Sequence, residues 1–328
     1  MLDQPLIHIG YHKTGSTWLQ RRIFADQSLG YTLVQPRTIV DEAFVVCNPF
    51  TFDPRQARAH FEDFAIQAEE SGRTLVISHE RLTGLPLMNA VDARPIADRI
   101  AATFPLGKVL LVIREQRSMM VSLYKQYVRA RMGSDRYEQL WRERTVRERR
   151  RPGPDLGVFE YHHLIRYYQE LFGRDRVLVL PFEMLCRDAK TFVAKIMEFA
   201  GQPGPAEVSS ERENAALSSA AVEVTRLLNI VFRRIGIESI FAGPIADRRA
   251  RRIRLVVLRS LGPLLPHSIS DRIEAGWRRE TLRLVAGRFA ESNVITQELT
   301  GIDLASYGYD VGALRSKRTP DERRPSAG

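Results

Sequence analysis

The sequence predicts an α/β protein in three layers, a central, mostly parallel sheet flanked by helices, with a helical C-terminal part. Three observations carry this. Short apolar runs alternate with helical patterns across residues 6–201. One of those runs, Lys108–Ile113 (KVLLVI), is apolar almost without interruption, as a strand covered on both faces must be. From 214 to 301 the strand signals stop and the patterns are helical throughout. With 328 residues, 44% apolar and 27% charged, the chain has the composition of an ordinary globular protein and is long enough to bury a full core.

Leu6–Ile9 is the first strand, followed by a glycine-bearing turn and a helical pattern from Thr17 through Leu19, Ile23 and Phe24. A helix ending near Gly72 precedes the second strand, Thr74–Ser78. Lys108–Ile113 is the third, with a helix expected from about Arg117 to Arg131. Tyr161–Leu171 reads as a helix stopped at Gly173, Val177–Leu180 as a fourth strand ending at Pro181, and Thr191–Ala200 as a helix closed by Gly201. One domain is expected over residues 1–314, with an α/β core to about 205 and a helical extension over 206–314. Residues 315–328, rich in Arg, Lys, Pro, Ser and Gly, cannot build a core and are expected to be a disordered tail.

No stretch approaches the roughly 18 apolar residues of a membrane span. The strand-like run at Pro5–Ile9 leaves no room for a signal peptide, and two cysteines, Cys47 and Cys186, suit a reducing compartment rather than a disulfide scaffold. A cytoplasmic location is therefore expected, with both cysteines as small buried side chains. The net charge of +10 is concentrated. Arg142–Arg151 holds six arginines against two glutamates, Asp247–Arg259 six against one aspartate, and the tail from Arg315 five basic residues against two acidic ones. Such clusters suggest local anionic partners rather than a nucleic-acid-binding surface. In the second, Ile253, Val256, Val257 and Leu261 interleave with the arginines. Peripheral contact of 247–261 with an anionic membrane is one expectation, a solvated helix face the other.

The chemistry sits in Gly10–Leu19. A loop between a buried strand and a helix N-terminus offers unpaired N–H groups and positive potential, and so holds phosphate or sulfate. Gly15 lets the backbone approach the anion, Ser16 and Thr17 offer hydroxyls, and Lys13 a point charge. Gly10, Gly15 and Thr17 keep the spacing of the P-loop pattern, but Ser16 stands where that pattern has its lysine. The fold is thus P-loop-like, while a triphosphate site would lack its β/γ-phosphate cation.

The run Lys13-Thr14-Gly15-Ser16-Thr17-Trp18-Leu19 resembles the 5′-phosphosulfate loop of sulfotransferases that use PAPS (3′-phosphoadenosine 5′-phosphosulfate), in their bacterial and carbohydrate-type branch. That resemblance implies PAPS as the sulfuryl donor. Lys13 would steady the leaving phosphate, Thr14, Gly15, Ser16 and Thr17 would cradle the oxygens, and Trp18 would pack beside the nucleotide. It further implies a 3′-phosphate site in Arg114, where the third strand runs out, and Ser122, eight residues later. Relatives often carry a proline two residues after this arginine, whereas here stands Gln116. Arg117 is assigned to solvated surface.

Sulfuryl transfer needs a base beside the acceptor hydroxyl. Ser78-His79-Glu80-Arg81-Leu82 ends the second strand and offers Glu80, favoured by the resemblance to the glutamate-using branch, with His79 as the alternative. The competing reading is a structural ion pair between Glu80 and Arg81 or another arginine. His12 is read as lining the loop and Glu183 as bracing the core. Arg212 or Asn214 is a candidate nucleotide contact, with Asn214 equally a helix start. Arg142–Arg151 is read as a loop over the site. No metal-ligand spacing is present, so a metal-independent transfer is expected. The acceptor implied is a hydroxyl of a glycan, glycolipid or related compound. Two other readings stay open: a P-loop kinase-like phosphotransferase, and a non-enzymatic module using the basic segments.

Overall fold

The computed structural model describes residues 4–130, 133–150, 153–203, 218–234 and 266–312. Five strands form one sheet: β1 (Leu6–His8), β2 (Tyr31–Leu33), β3 (Thr74–Ser78), β4 (Lys108–Ile113) and β5 (Val177–Pro181). Their order is β2-β3-β1-β4-β5, and every pairing is parallel, so the sheet is wholly rather than mostly parallel. β1 lies at the centre, with Leu6 opposite Val76 on one side and Lys108 on the other.

The period of two along each strand sorts side chains into two cores. Ile7, Leu75, Ile77, Val109, Leu111, Ile113, Val177 and Val179 enter one layer. Leu6, Val76, Leu110, Val112 and Leu180 enter the other. The first layer is covered by helices Ala93–Thr103, Gln116–Ala130 and Tyr161–Phe172, which contribute Ile96, Ile100, Met119, Leu123, Ile165 and Phe172. The second is covered by Trp18, Leu19, Ile23 and Phe24 from the first loop and by helix Ala189–Ala200. That helix buries Phe192, Val193, Ile196 and Met197, each contributing about 1.5–3 kcal/mol. Its ends are sealed locally. Asp188 accepts from the Thr191 N–H at 3.0 Å, and Gly201, in the left-handed region, lets the Gln202 N–H reach the Met197 carbonyl at 2.8 Å.

β2 is the strand that the sequence pattern does not announce. It spans three residues directly after Gly30, too few to display alternation, and exists because Tyr31 and Thr32 pair with Thr74 and Leu75. In the C-terminal part the described residues are helical as read, in helices Ser219–Arg234, His267–Val285 and Ala290–Thr300, broken between 285 and 290 where Gly287 turns left-handed, while residues 214–217 and 235–265 lie outside them. At the start of the first of these helices the Ser218 hydroxyl accepts from the Ala221 N–H at 3.2 Å. Residues 212 and 214, the basic segment 247–261 and the tail 315–328 lie outside the described residues. The cysteines correct the expectation of burial. Cys47 is half-buried and Cys186 exposed, the latter because it lies on the short helix Phe182–Arg187 whose outer face meets solvent.

Candidate functional site

The strands point their C-terminal ends at one edge of the sheet, where an open parallel sheet forms its ligand crevice. β1 leads into the loop Gly10–Gly15. Leu19 N–H bonds the Gly15 carbonyl at 3.0 Å, starting a helical turn over Ser16–Trp18 that widens to π-helical geometry over Leu19–Phe24. Gly15 has φ 83°, and a Cβ there would sit 2.9 Å from Leu185 Cδ2 and 3.2 Å from Phe182 Cε2. Gly10 is required by proximity instead, since a Cβ would meet His8 Nε2 at 2.7 Å. Lys13 also adopts left-handed backbone, φ 69°, a strained state for a residue with a side chain.

Within the loop, Thr14 is buried with its hydroxyl donating to the Tyr11 carbonyl, so it holds the loop's shape. The Ser16 hydroxyl is buried at the start of the helical turn and has no hydrogen-bond partner among the described residues. A hydroxyl there, beside the N–H groups that open a helical turn, is chemically able to donate to an anion. Thr17 is half-buried, and Trp18 is buried in the core layer under the loop. Behind them, Gln20 Nε2 donates to the Ser78 hydroxyl at 3.1 Å, and that hydroxyl shares a hydrogen bond of 2.7 Å with His8 Nδ1. This chain ties β1, the loop helix and β3 together.

Lys13 reaches solvent, yet the protein packed around its ammonium lowers its pKa, and the like charges of Arg129, Arg114 and Lys125 lower it further. Arg114 donates through Nη1 to the Lys13 carbonyl at 2.9 Å and through Nε to Ser118 Oγ at 3.0 Å, and stacks over the Phe182 ring at 4.9 Å. Burial, first among the causes, lowers the Arg114 pKa. Ser122 lies one helical turn beyond Ser118 on the same face, followed by Lys125 and Arg129. The structure thus brings Arg114 to the Lys13 loop and adds Ser118, Lys125 and Arg129, which the sequence reading missed. The 118, 122, 125, 129 spacing on one helix is the signal that could have found them. Of these cations Lys125 is balanced by Glu274 at 2.7 Å.

The end of β3 lies beside the loop. Glu80 receives Arg37 Nη1 at 3.0 Å and 3.3 Å. Burial opposes its ionisation, but its own backbone N–H, His79, Arg37 and His12 together outweigh burial, and the net pKa is lowered. His79 accepts from the Arg81 N–H at Nδ1, 3.0 Å, which places its proton on Nε2, 3.4 Å from Asp41 Oδ2. Both ring nitrogens of His79 are therefore occupied. Arg81 pairs with Asp92 at 2.7 Å, not with Glu80. His12 is buried with Nε2 unpartnered, and burial is the main cause lowering its pKa to about 4.

Glu183, from the helix after β5, accepts from the Glu115 N–H at 3.0 Å and from the Tyr309 hydroxyl at 3.1 Å, the bracing role expected of it. The Arg142–Arg149 segment is internally paired, with Arg142 on Glu148, and shares a shallow cleft with Arg288. Arg117 does not only face solvent, since its guanidinium also bonds Glu115 and the Gly308 carbonyl.

A comparison with curated proteins finds no match. Among solved structures the chain is similar to a sulfotransferase from Alicyclobacillus acidocaldarius, at 17% identity over 70% of this chain and 93% of that one, with a TM-score of 0.47. It is also similar to the sulfotransferase domain from the curacin biosynthetic pathway, at 12% identity over 76% of this chain and 97% of that one, with a TM-score of 0.36. The sulfotransferase domain matches residues 3–221, a stretch that holds all five strands, the Lys13 loop, the Glu80 turn and Arg114. The chain belongs to the sulfotransferase domain family.

Proposed function

We propose that the protein transfers a sulfuryl group from PAPS to a hydroxyl of a glycan, glycolipid or related acceptor. The observation that carries this reading is the loop Lys13–Trp18. Its left-handed Gly15 and buried Ser16 hydroxyl, unpartnered among the described residues, stand beside Arg114 at the C-terminal edge of the central strand. Gly15, Ser16 and Thr17 hold the phosphosulfate, and Thr14 fixes the loop from beneath. Arg114, with Ser118 and Ser122 on the next helix, takes the 3′-phosphate as a charge-assisted, forked contact.

In the transfer, the acceptor oxygen forms a bond to sulfur as the bond from sulfur to the bridging phosphate oxygen breaks. The acceptor proton passes to a carboxylate, and PAP (adenosine 3′,5′-bisphosphate) departs with the negative charge. Lys13 neutralises that oxygen as charge develops on it. Glu80 is the base this geometry favours. Its lowered pKa keeps it ionised at neutral pH, and the arginine paired with it, Arg37, is itself substantially exposed. His79 has no ring nitrogen free for the task.

The test is direct. PAP should raise the melting temperature of the chain where ATP with Mg²⁺ does not. Glu80→Gln should lower kcat by about 10²–10⁴-fold while PAP binding stays at the wild-type level. Full turnover in Glu80→Gln removes the base assignment, and indifference to PAP removes the donor.

A further inference from the structure

The C-terminal residues 301–312 follow the last helix and lie beyond the family match, which ends at residue 221. They are not a loose end. A tight turn over Leu304–Tyr307 closes when the Tyr309 N–H reaches the Leu304 carbonyl at 3.2 Å across the left-handed Gly308. Leu304 and Tyr309 are both buried in the larger core layer. The strap they anchor crosses the start of helix Gln116–Ala130 and the short helix Phe182–Arg187.

One of its bonds leads to the peptide that follows Arg114. Tyr309 donates to Glu183 Oε2 at 3.1 Å, and Glu183 Oε1 accepts from the Glu115 N–H at 3.0 Å. The carbonyl of that same peptide unit, Arg114 C=O, accepts from the Tyr161 hydroxyl at 2.6 Å. The peptide that follows Arg114 is therefore clamped at both polar atoms, and one clamp is held by the strap. Around it the strap is fastened three more times. Arg117 donates to the Gly308 carbonyl at 2.8 Å, and Arg187 to the Ser306 carbonyl at 2.7 Å. Asn293 joins the Asp310 carbonyl, at 2.7 Å, to the buried amide of Gln116, at 2.6 Å. Because the backbone is planar across a peptide, fixing this unit fixes the direction in which Arg114 leaves β4.

We propose that the strap Leu304–Asp310 is a positioning element of the donor site, with Tyr309 and Glu183 acting through the Arg114–Glu115 peptide to aim the Arg114 guanidinium. The inference rests on the assignment of Arg114 to the donor under the proposed function. A strap that only seals the core would change stability and leave donor affinity alone, and this difference is measurable.

Tyr309→Phe keeps the buried ring and removes only the hydroxyl, leaving Glu183 one donor short. Titration calorimetry with PAP should show about tenfold weaker binding, the size expected for one hydrogen bond to a charged acceptor. The KM for PAPS should rise in parallel, with kcat and the acceptor KM close to wild type. Amide hydrogen exchange at Glu115 should speed up without ligand. Arg187→Gln alters an exposed side chain that fastens the same strap, so it reports even where Tyr309→Phe fails to fold; about threefold weaker PAP binding is expected. Wild-type PAP affinity in these variants, with only the melting temperature lowered, overturns the inference. Absence of PAP binding by the wild-type chain overturns the donor reading itself and this inference with it.

Discussion

Replacing Gly15 by alanine tests whether the loop's shape and the nucleotide side of the site are one mechanical unit. Gly15 has φ 83° and ψ 11°, a region that costs a residue carrying a Cβ about 1–2 kcal/mol. The new methyl would stand 2.9 Å from Leu185 Cδ2 and 3.2 Å from Phe182 Cε2. Leu185 can swing its terminal methyl away, whereas the Phe182 ring is held beneath Arg114. The overpacking is therefore at the low end of its range, about 1 kcal/mol, and the total about 2–3 kcal/mol.

Gly72 supplies the control. It too is left-handed, φ 63°, but a Cβ there meets nothing within 4 Å, so Gly72→Ala should carry the conformational part alone, about 1–2 kcal/mol. Urea unfolding of both variants isolates the contact with Phe182 and Leu185 as the difference. PAP titration then asks whether a displaced Phe182 disturbs Arg114; binding should weaken in Gly15→Ala and stay unchanged in Gly72→Ala. Equal destabilisation in the two variants, or wild-type PAP affinity in Gly15→Ala, would refute the reasoning.

Three further outcomes are expected. Lys13→Met should cut kcat by about 10²–10³-fold, as the loss of one charge-stabilising donor does, with a rate near wild type dismissing Lys13 as the leaving-group cation. Burial lowers the His8 pKa to about 4, against about 6.5 in an unfolded chain. As pH falls from 7.5 to 5 the unfolded state therefore binds a proton that the native state refuses, and stability should drop by about 2 kcal/mol from His8 alone. Urea midpoints that stay level across that interval would contradict the buried, neutral ring. Ser118→Ala and Ser122→Ala should each weaken PAP binding several-fold, the first by freeing Arg114; an unaffected Ser122→Ala would leave Ser118 as the only serine of that face in the site.

The parts of the fold that were legible in the sequence are those fixed by neighbours along the chain. KVLLVI needs covering on both faces wherever it goes, and Gly72, Gly173 and Gly201 end helices by their own backbone freedom. β2 was not legible because three residues show no period, and its partner strand lies some forty residues downstream. The same division runs through the site. The loop Lys13–Leu19 and Arg114 could be read as motifs, whereas the partners that decide the behaviour of Glu80 and His79, Arg37 and Asp41, come from a segment with no motif of its own. Glu80 and His79 stand side by side in the sequence, and only the donors and acceptors around each distinguish their surroundings.

Lys13 has a backbone property that its motif does not display. Nothing in the letters indicates that this lysine takes left-handed backbone, a conformation that costs about 1–3 kcal/mol outside glycine and persists only where surrounding bonds enforce it. Here the enforcement is visible, since its carbonyl is held by Arg114 and the preceding turn is closed by Thr14 on Tyr11. A lysine at position 16, as in triphosphate loops, would replace a buried hydroxyl and push its cation into the helix start. At position 13 the cation instead reaches solvent, its pKa lowered first by the protein packed around it and then by the like charges of Arg129, Arg114 and Lys125. Such crowding of positive charge is unfavourable by itself, and an anion beside it would offset the repulsion. The strained residue and the repelling cations thus meet in one loop, the arrangement on which the proposed donor site rests.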